Sequence, residues 1–220
     1  MTEDLHTAPH LDRAALVTID VQRDTLDGQA LQIPGTSAAL AAMARVAEAF
    51  RRAERPIVHV LRLYRADGSN VDLCRRELVE GGARILAPDD EGAELAPGLA
   101  LEDAPPLDAE ALLGGELQPL GPGEWALYKP RWGAFYETPL EAHLRGLGVD
   151  TLAFCGANFP NCPRMSIYEA SERDFRLVVA PDAVSGMYDR GLSELDGIGV
   201  VLMDSAALAE AMAGARAAAG

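Results

Sequence analysis

Short apolar runs that close on a charged residue, spaced by segments of helical periodicity, restrict the fold of this chain more than any other feature of it. Ala14-Ala-Leu-Val-Thr-Ile-Asp20 stays apolar or β-branched until its last residue, the pattern of a strand buried on both faces of a parallel sheet. Thr36 or Ser37 can then cap a helix in which Leu40, Met43, Ala47 and Phe50 recur at helical spacing, with Arg51 and Arg52 in its last turn. Pro56 to Arg62 reads as the next strand, which makes a βαβ unit. His59 within it reads as a hydrogen-bonded core residue. Further strands are expected at Glu124 to Lys129, Asp150 to Cys155, Arg176 to Asp182 and Gly199 to Met203. Helices are expected from Val71 to Leu86, after Thr138, from Arg164 to Glu172 and from Ala206 to Ala218. Thr138-Pro139-Leu140-Glu141 has the form of a capping box, and Gly148 stops that helix. Strand and helix alternating in this order predict an α/β domain: a mostly parallel sheet with helices on both faces.

Composition narrows the class of partners. Nineteen Lys and Arg against 34 Asp and Glu give a net charge of −15, which repels phosphate backbones and anionic membranes, so neither nucleic acid nor a membrane is an expected partner. No apolar run is long enough to span a bilayer. Residues 1–12 carry acids and no apolar segment; a loose tail, not a secretory signal, is expected there, followed by a single domain over 13–220. Residues 87–123, rich in Asp, Glu, Pro, Gly and Ala, predict an acidic, loop-rich insertion with short helical pieces near Ala104 to Leu113; a lid, a contact surface and acidic padding are all open readings. Cys74, Cys155 and Cys162 are too few and too irregular for a disulfide framework or a structural zinc site, which suits a reducing, cytoplasmic setting.

Three reactive residues share one structural address. Asp20, Lys129 and Cys162 each stand where a strand gives way to a loop or helix, and parallel strands deliver their carboxyl ends to one edge. Pro163 fixes Cys162 at the start of its helix, among unpaired N–H groups that favour a thiolate. A carboxylate can take the thiol proton and an ammonium can offset the repulsion between the two anions. Taken alone, Cys162 reads equally as a small buried apolar residue.

The segments Ile19-Asp20-Val21-Gln22, Lys129-Pro-Arg-Trp-Gly-Ala-Phe135 with Thr138 and Leu140, and Gly156 through Cys162 to Ser166 and Glu169-Ala170 resemble the isochorismatase-like cysteine hydrolase superfamily, which includes nicotinamidases and N-carbamoylsarcosine amidohydrolase. The likeness runs from Ala14 to Met203. It implies a Rossmann-like, three-layer α/β/α fold around a six-stranded, mostly parallel sheet, and a catalytic triad of Asp20, Lys129 and Cys162. It also implies an oxyanion hole from the backbone N–H groups of Asn158 and Cys162, and a cis peptide at Ala157–Asn158. The implied activity is hydrolysis of a small non-peptide amide, imide or ureido bond through a thioester. A vinyl-ether hydrolase of the isochorismate type is the runner-up, although relatives of that kind generally lack the cysteine; a silent binding or scaffold module is the third reading. Members are commonly homodimers or homotetramers.

Departures from the family pattern carry information too. Asn158, Phe159 and Pro160 stand where many relatives have a small residue and a threonine, which alters the pocket wall. Relatives that bind zinc use an Asp-x-His pair after the second strand, whereas this chain has Arg62-Leu-Tyr-Arg65; no metal and no cofactor are expected. Trp132, Tyr64 and Phe135 are candidates to pack on a flat substrate, with Arg131 or Asn158 at its polar end, although each aromatic reads also as ordinary core. Ser166 and Glu169 read as helix packing and salt bridging.

Overall fold

Side-chain alternation along the first strand decides the layering. In β1 (Ala14–Ile19) all six residues are buried, with Ala14 and Leu16 in one apolar cluster and Ala15, Val17 and Ile19 in the other. The computed structural model describes residues 5–219. In it β1 joins β2 (Ile57–Leu61), β3 (Leu117–Gly121), β4 (Glu124–Tyr128), β5 (Thr151–Gly156), β6 (Arg176–Val184) and β7 (Val201–Leu202) in one sheet of order β3-β4-β2-β1-β5-β6-β7. Every neighbouring pair is parallel except β3 with β4. On one face α1 (Thr36–Arg52) and α7 (Ser205–Ala219) bury Met43, Val46, Phe50, Leu208 and Met212. On the other, α4 (Leu140–Gly146), α5 (Cys162–Ser171) and α6 (Asp189–Asp196) bury Leu140, Leu144, Ile167 and Leu195. This is the expected three-layer α/β/α arrangement, with two smaller helices, α2 (Leu73–Glu80) and α3 (Ala109–Leu113), between strands.

The sheet has seven strands where six were expected. The extra one is β3, inside the segment read as an acidic loop; Pro119 argues against a strand, but at an edge its missing N–H is tolerated, and the pairing slips between Pro119 and Gly121. The same segment packs onto the domain, sinking Ala93, Leu95, Ala96 and Leu99 into the core. The helix expected over Val71 to Leu86 is only α2, since the paired glycines 81 and 82 end it. Glu141 does not close a capping box; it pairs with Arg173 at 3.1 Å. Residues 1–4 of the tail lie outside the described residues. From Leu5 the tail is tied down, because the Leu5 and Ala8 carbonyls accept from Arg176 and the His10 N–H donates to Thr151 Oγ1.

His59 is indeed a bonded core residue. Its ring joins Thr18 Oγ1 at 2.8 Å and Glu124 Oε1 at 2.7 Å, and Arg51 of α1 grips both oxygens of Glu124, so one buried network ties β1, β2 and β4 to a helix.

Candidate active site

The centre of the sheet sets the site. β1 and β5 lie side by side, and Gly156 at the end of β5 has φ +135°, where an added Cβ would sit 2.2 Å from the Ile19 carbonyl oxygen. Only glycine allows that approach. The strands therefore end together: Ala157 N–H donates to Ile19 O at 2.9 Å, and Asp20 leaves β1 in a left-handed turn with φ 53°. Lys129 follows β4, two strands away, and its long side chain crosses the end of β2. Fully buried, its Nζ donates to Asp20 Oδ2 at 2.9 Å and to the Arg131 carbonyl at 3.3 Å. The other carboxylate oxygen, Asp20 Oδ1, is buried without a hydrogen-bond partner. Asp20 and Cys162, the first residue of α5, line the same small cavity with Ala157 and Asn158, whose shared peptide bond is cis.

Two side chains read as ordinary helix packing hold the cationic turn onto α5. Ser166 Oγ donates to the Cys162 carbonyl at 2.7 Å and accepts from Ala134 N–H at 3.1 Å. Glu169 Oε2 accepts from Phe135 N–H at 2.9 Å rather than forming a salt bridge, and Gly133 leaves no room for a Cβ against it. Lys129 and Cys162 are thus registered to each other through one helix face.

The electrostatics correct one expectation. Burial, and next the Asp20 carboxylate beside it, push the Cys162 thiol up to about 12, outweighing the pull of Lys129 and Arg62. The sulfur rests as a thiol, because burial and the Asp20 carboxylate outweigh the two nearby cations.

Arg62, Asp72 and Arg75 were not singled out from the sequence as site residues. Arg62 directly follows β2, as Asp20 follows β1, and that shared position was the available signal. Its backbone is clamped by Gln22, whose amide accepts from Arg62 N–H at 2.9 Å and donates to Arg62 O at 2.9 Å. Its Nη2 donates to Asp72, and Tyr64 OH donates to the same carboxylate oxygen at 2.9 Å. Burial pushes the Tyr64 phenol up to about 12, so it remains a donor. Tyr64 and Asn158 are among the cavity's lining residues, with Asn158 Oδ1 accepting from Asn161 at 3.1 Å.

Trp132, Phe135 and Arg131 stand elsewhere and are not among the cavity's lining residues. Phe135 stacks 5.9 Å from Phe175 beneath Arg173, Trp132 is half-buried against the same cluster, and Arg131 is exposed with Nη1 on the Pro130 carbonyl. Apolar character alone did not separate pocket wall from core. At the end of β2 the residues do not fit a metal, since Arg62 places a cation there. Among the described residues no group of three His, Cys, Asp or Glu could hold a metal ion.

The cavity measures about 20 Å³, the room of a single water. Thr25, Leu31, Ile33 and Leu86 are among the residues that line it. The 410 Å³ groove between α1 and α7 contains none of the three reactive residues.

Comparison with known proteins accords with this geometry. The family model for the isochorismatase domain matches residues 14–207. An Arabidopsis thaliana protein named a probable inactive nicotinamidase is 26% identical over 195 residues, 84% of this chain and 89% of its own length. The ureidoacrylate amidohydrolase RutB of Methylorubrum extorquens is 37% identical over a shorter stretch of 62 residues, 28% of this chain and 25% of its own. Among solved structures, an isochorismatase family protein from Desulfovibrio vulgaris superposes with a TM-score of 0.76 at 29% identity, over 91% of this chain and 98% of that one.

Proposed function

The chain belongs to the isochorismatase family of hydrolases, and we propose that it hydrolyses a small non-peptide amide, imide or ureido C–N bond with Cys162 as nucleophile. One observation carries the reading: the Lys129–Asp20 ion pair is buried, and Asp20 keeps a free oxygen beside the cavity that Cys162 lines. A carboxylate so placed is a general base in search of a proton. Oδ1 of Asp20 takes the Sγ proton as sulfur bonds to the substrate carbonyl carbon. The backbone N–H groups of Asn158 and Cys162 hold the resulting oxyanion. Asp20 then gives its proton to the departing nitrogen as the C–N bond breaks, leaving a thioester. Water adds to the thioester, losing a proton to Asp20; the acid departs and the sulfur recovers that proton. Lys129 keeps Asp20 in register and holds its negative charge between the two half-reactions. The match to a ureidoacrylate amidohydrolase supports C–N hydrolysis over vinyl-ether chemistry.

A cavity of about 20 Å³ admits no amide substrate, so the walls around Leu31, Ile33 and Leu86 must part for turnover. That closure, with a relative named a probable inactive nicotinamidase, favours one rival reading, a silent member that keeps the fold. Ammonia release from a panel of small amides and ureides decides between them. Wild-type turnover that disappears in Cys162→Ala supports the hydrolase; turnover that survives the substitution rules out the nucleophile, and a wholly inert wild type supports the silent module. We place the protein in the cytoplasm, where its three free cysteines stay reduced, as a homodimer or homotetramer acting on a small molecule. No helix among the described residues is long and apolar enough to cross a membrane.

A further inference from the structure

Arg62 is a guanidinium held inside the protein with part of its hydrogen-bonding capacity unused. The residue is 2% exposed, and its Nε and Nη1 are buried without any acceptor, although Nη2 is bound to Asp72 and lies 3.3 Å from Tyr64 OH. Leaving buried charged donors unpaired is costly, and Gln22 fixes the backbone of this residue on both its N–H and its C=O. The side chain is therefore built into the wall of the cavity beside Cys162 and Asp20 rather than lodged there by default.

The charges around the cavity point the same way. Among the charged side chains that line it, with those they pair to, Arg62, Arg75 and Lys129 face only two carboxylates, Asp20 and Asp72. With Cys162 as a thiol, one positive charge lacks a counter-charge. Passing the thiol proton to Asp20 moves charge within the site and leaves that excess unchanged. A chain whose net charge is −15 thus encloses a cationic pocket at its reactive cysteine.

We propose that Arg62, seconded by Arg75, is a receptor for a carboxylate on the substrate, so that the molecule hydrolysed is a small monoanionic amido or ureido acid. An arginine meets a carboxylate with directed, charge-assisted hydrogen bonds, and the donors left vacant on Arg62 supply them. The assignment rests on the proposed C–N hydrolase reading for the word substrate, but the receptor itself is tested without turnover. Arg62 is a specificity-determining residue in this account, not a participant in bond breaking.

The test uses two alkylating probes of similar size, iodoacetate and iodoacetamide, which differ in charge. Cys74 is exposed on α2 and serves as the reference thiol within the same molecule. Peptide mass spectrometry of the whole protein gives the iodoacetate-to-iodoacetamide rate ratio at each cysteine. The expected ratio at Cys162 exceeds that at Cys74 by about tenfold or more, the effect of one charge-assisted contact, and sodium formate slows iodoacetate at Cys162 alone against a chloride control. Arg62→Met should bring the ratio down to that of Cys74, and Arg62→Lys, which keeps the charge and guards against misfolding, should retain part of it. A ratio at Cys162 no higher than at Cys74, a ratio untouched by Arg62→Met, or a Cys162 that neither probe can reach overturns the proposal. A preference for iodoacetate in a protein that hydrolyses no amide would instead remove the proposed activity and leave the receptor standing.

Discussion

At the residue scale, the arrangement hangs on how three ionisable groups share a dry space. Burial keeps the Cys162 sulfur protonated, with Asp20 adding to the effect, so at pH 7 iodoacetamide should label exposed Cys74 at least about tenfold faster than Cys162. Labelling of Cys162 with a midpoint below pH 8.5 would contradict this. Lys129 and Asp20 form a buried ion pair, so Lys129→Met leaves a buried carboxylate without that partner and should lower stability by about 3–5 kcal/mol in urea unfolding. Adding Asp20→Asn to that variant should restore part of the loss; simple additivity of the two changes would show that the pair is not coupled. Asp20, Lys129 and Cys162 were legible in the sequence because each closes an apolar run or opens the helix after one. The state of the thiol was not, since residues that share its cavity, among them Leu31, Ile33 and Leu86, come from segments far from Cys162 along the chain.

At the element scale, the strands that carry the site were readable from their apolar runs, and β3 was not. Its sequence, Leu117-Gln-Pro-Leu-Gly121, has a proline that only an edge position accommodates, and no local pattern tells edge from loop. Glu124, which begins β4, was read as strand without a role, yet it anchors the network of His59 and Arg51. Burial disfavours its charge, but hydrogen bonds from Arg51 and His59 prevail and hold its carboxyl down at about 2. A carboxyl depressed in the folded state stabilises above its unfolded pKa, so this contribution is complete above about pH 4.5 and lost as pH falls towards 2. Glu124→Gln should therefore reduce stability at pH 7 by about 3 kcal/mol, with the gap to wild type narrowing below pH 4.5. A gap that holds constant down to pH 2 would place the stabilisation elsewhere.

At the scale of the whole molecule, the sheet gathers the reactive groups at one edge, and residues from the segment after β1 and from around Leu86 line the cavity beside them. On the proposed chemistry, this cover must open. Hydrogen exchange should show the Leu31 and Ile33 amides, bonded to Asp24 and Thr25 carbonyls, opening locally well before those of β1. Equal protection in both places, up to global unfolding, would mean that the cover does not move by itself. The most direct test of the proposed chemistry looks for its covalent intermediate. Acid quenching of the protein during turnover of a hydrolysed amide or ureide, followed by intact-mass and peptide mass spectrometry, should reveal an acyl group on Cys162 that is absent from Cys162→Ala. Steady turnover of that compound with no adduct on Cys162, and with undiminished rate in Cys162→Ala, would contradict the account.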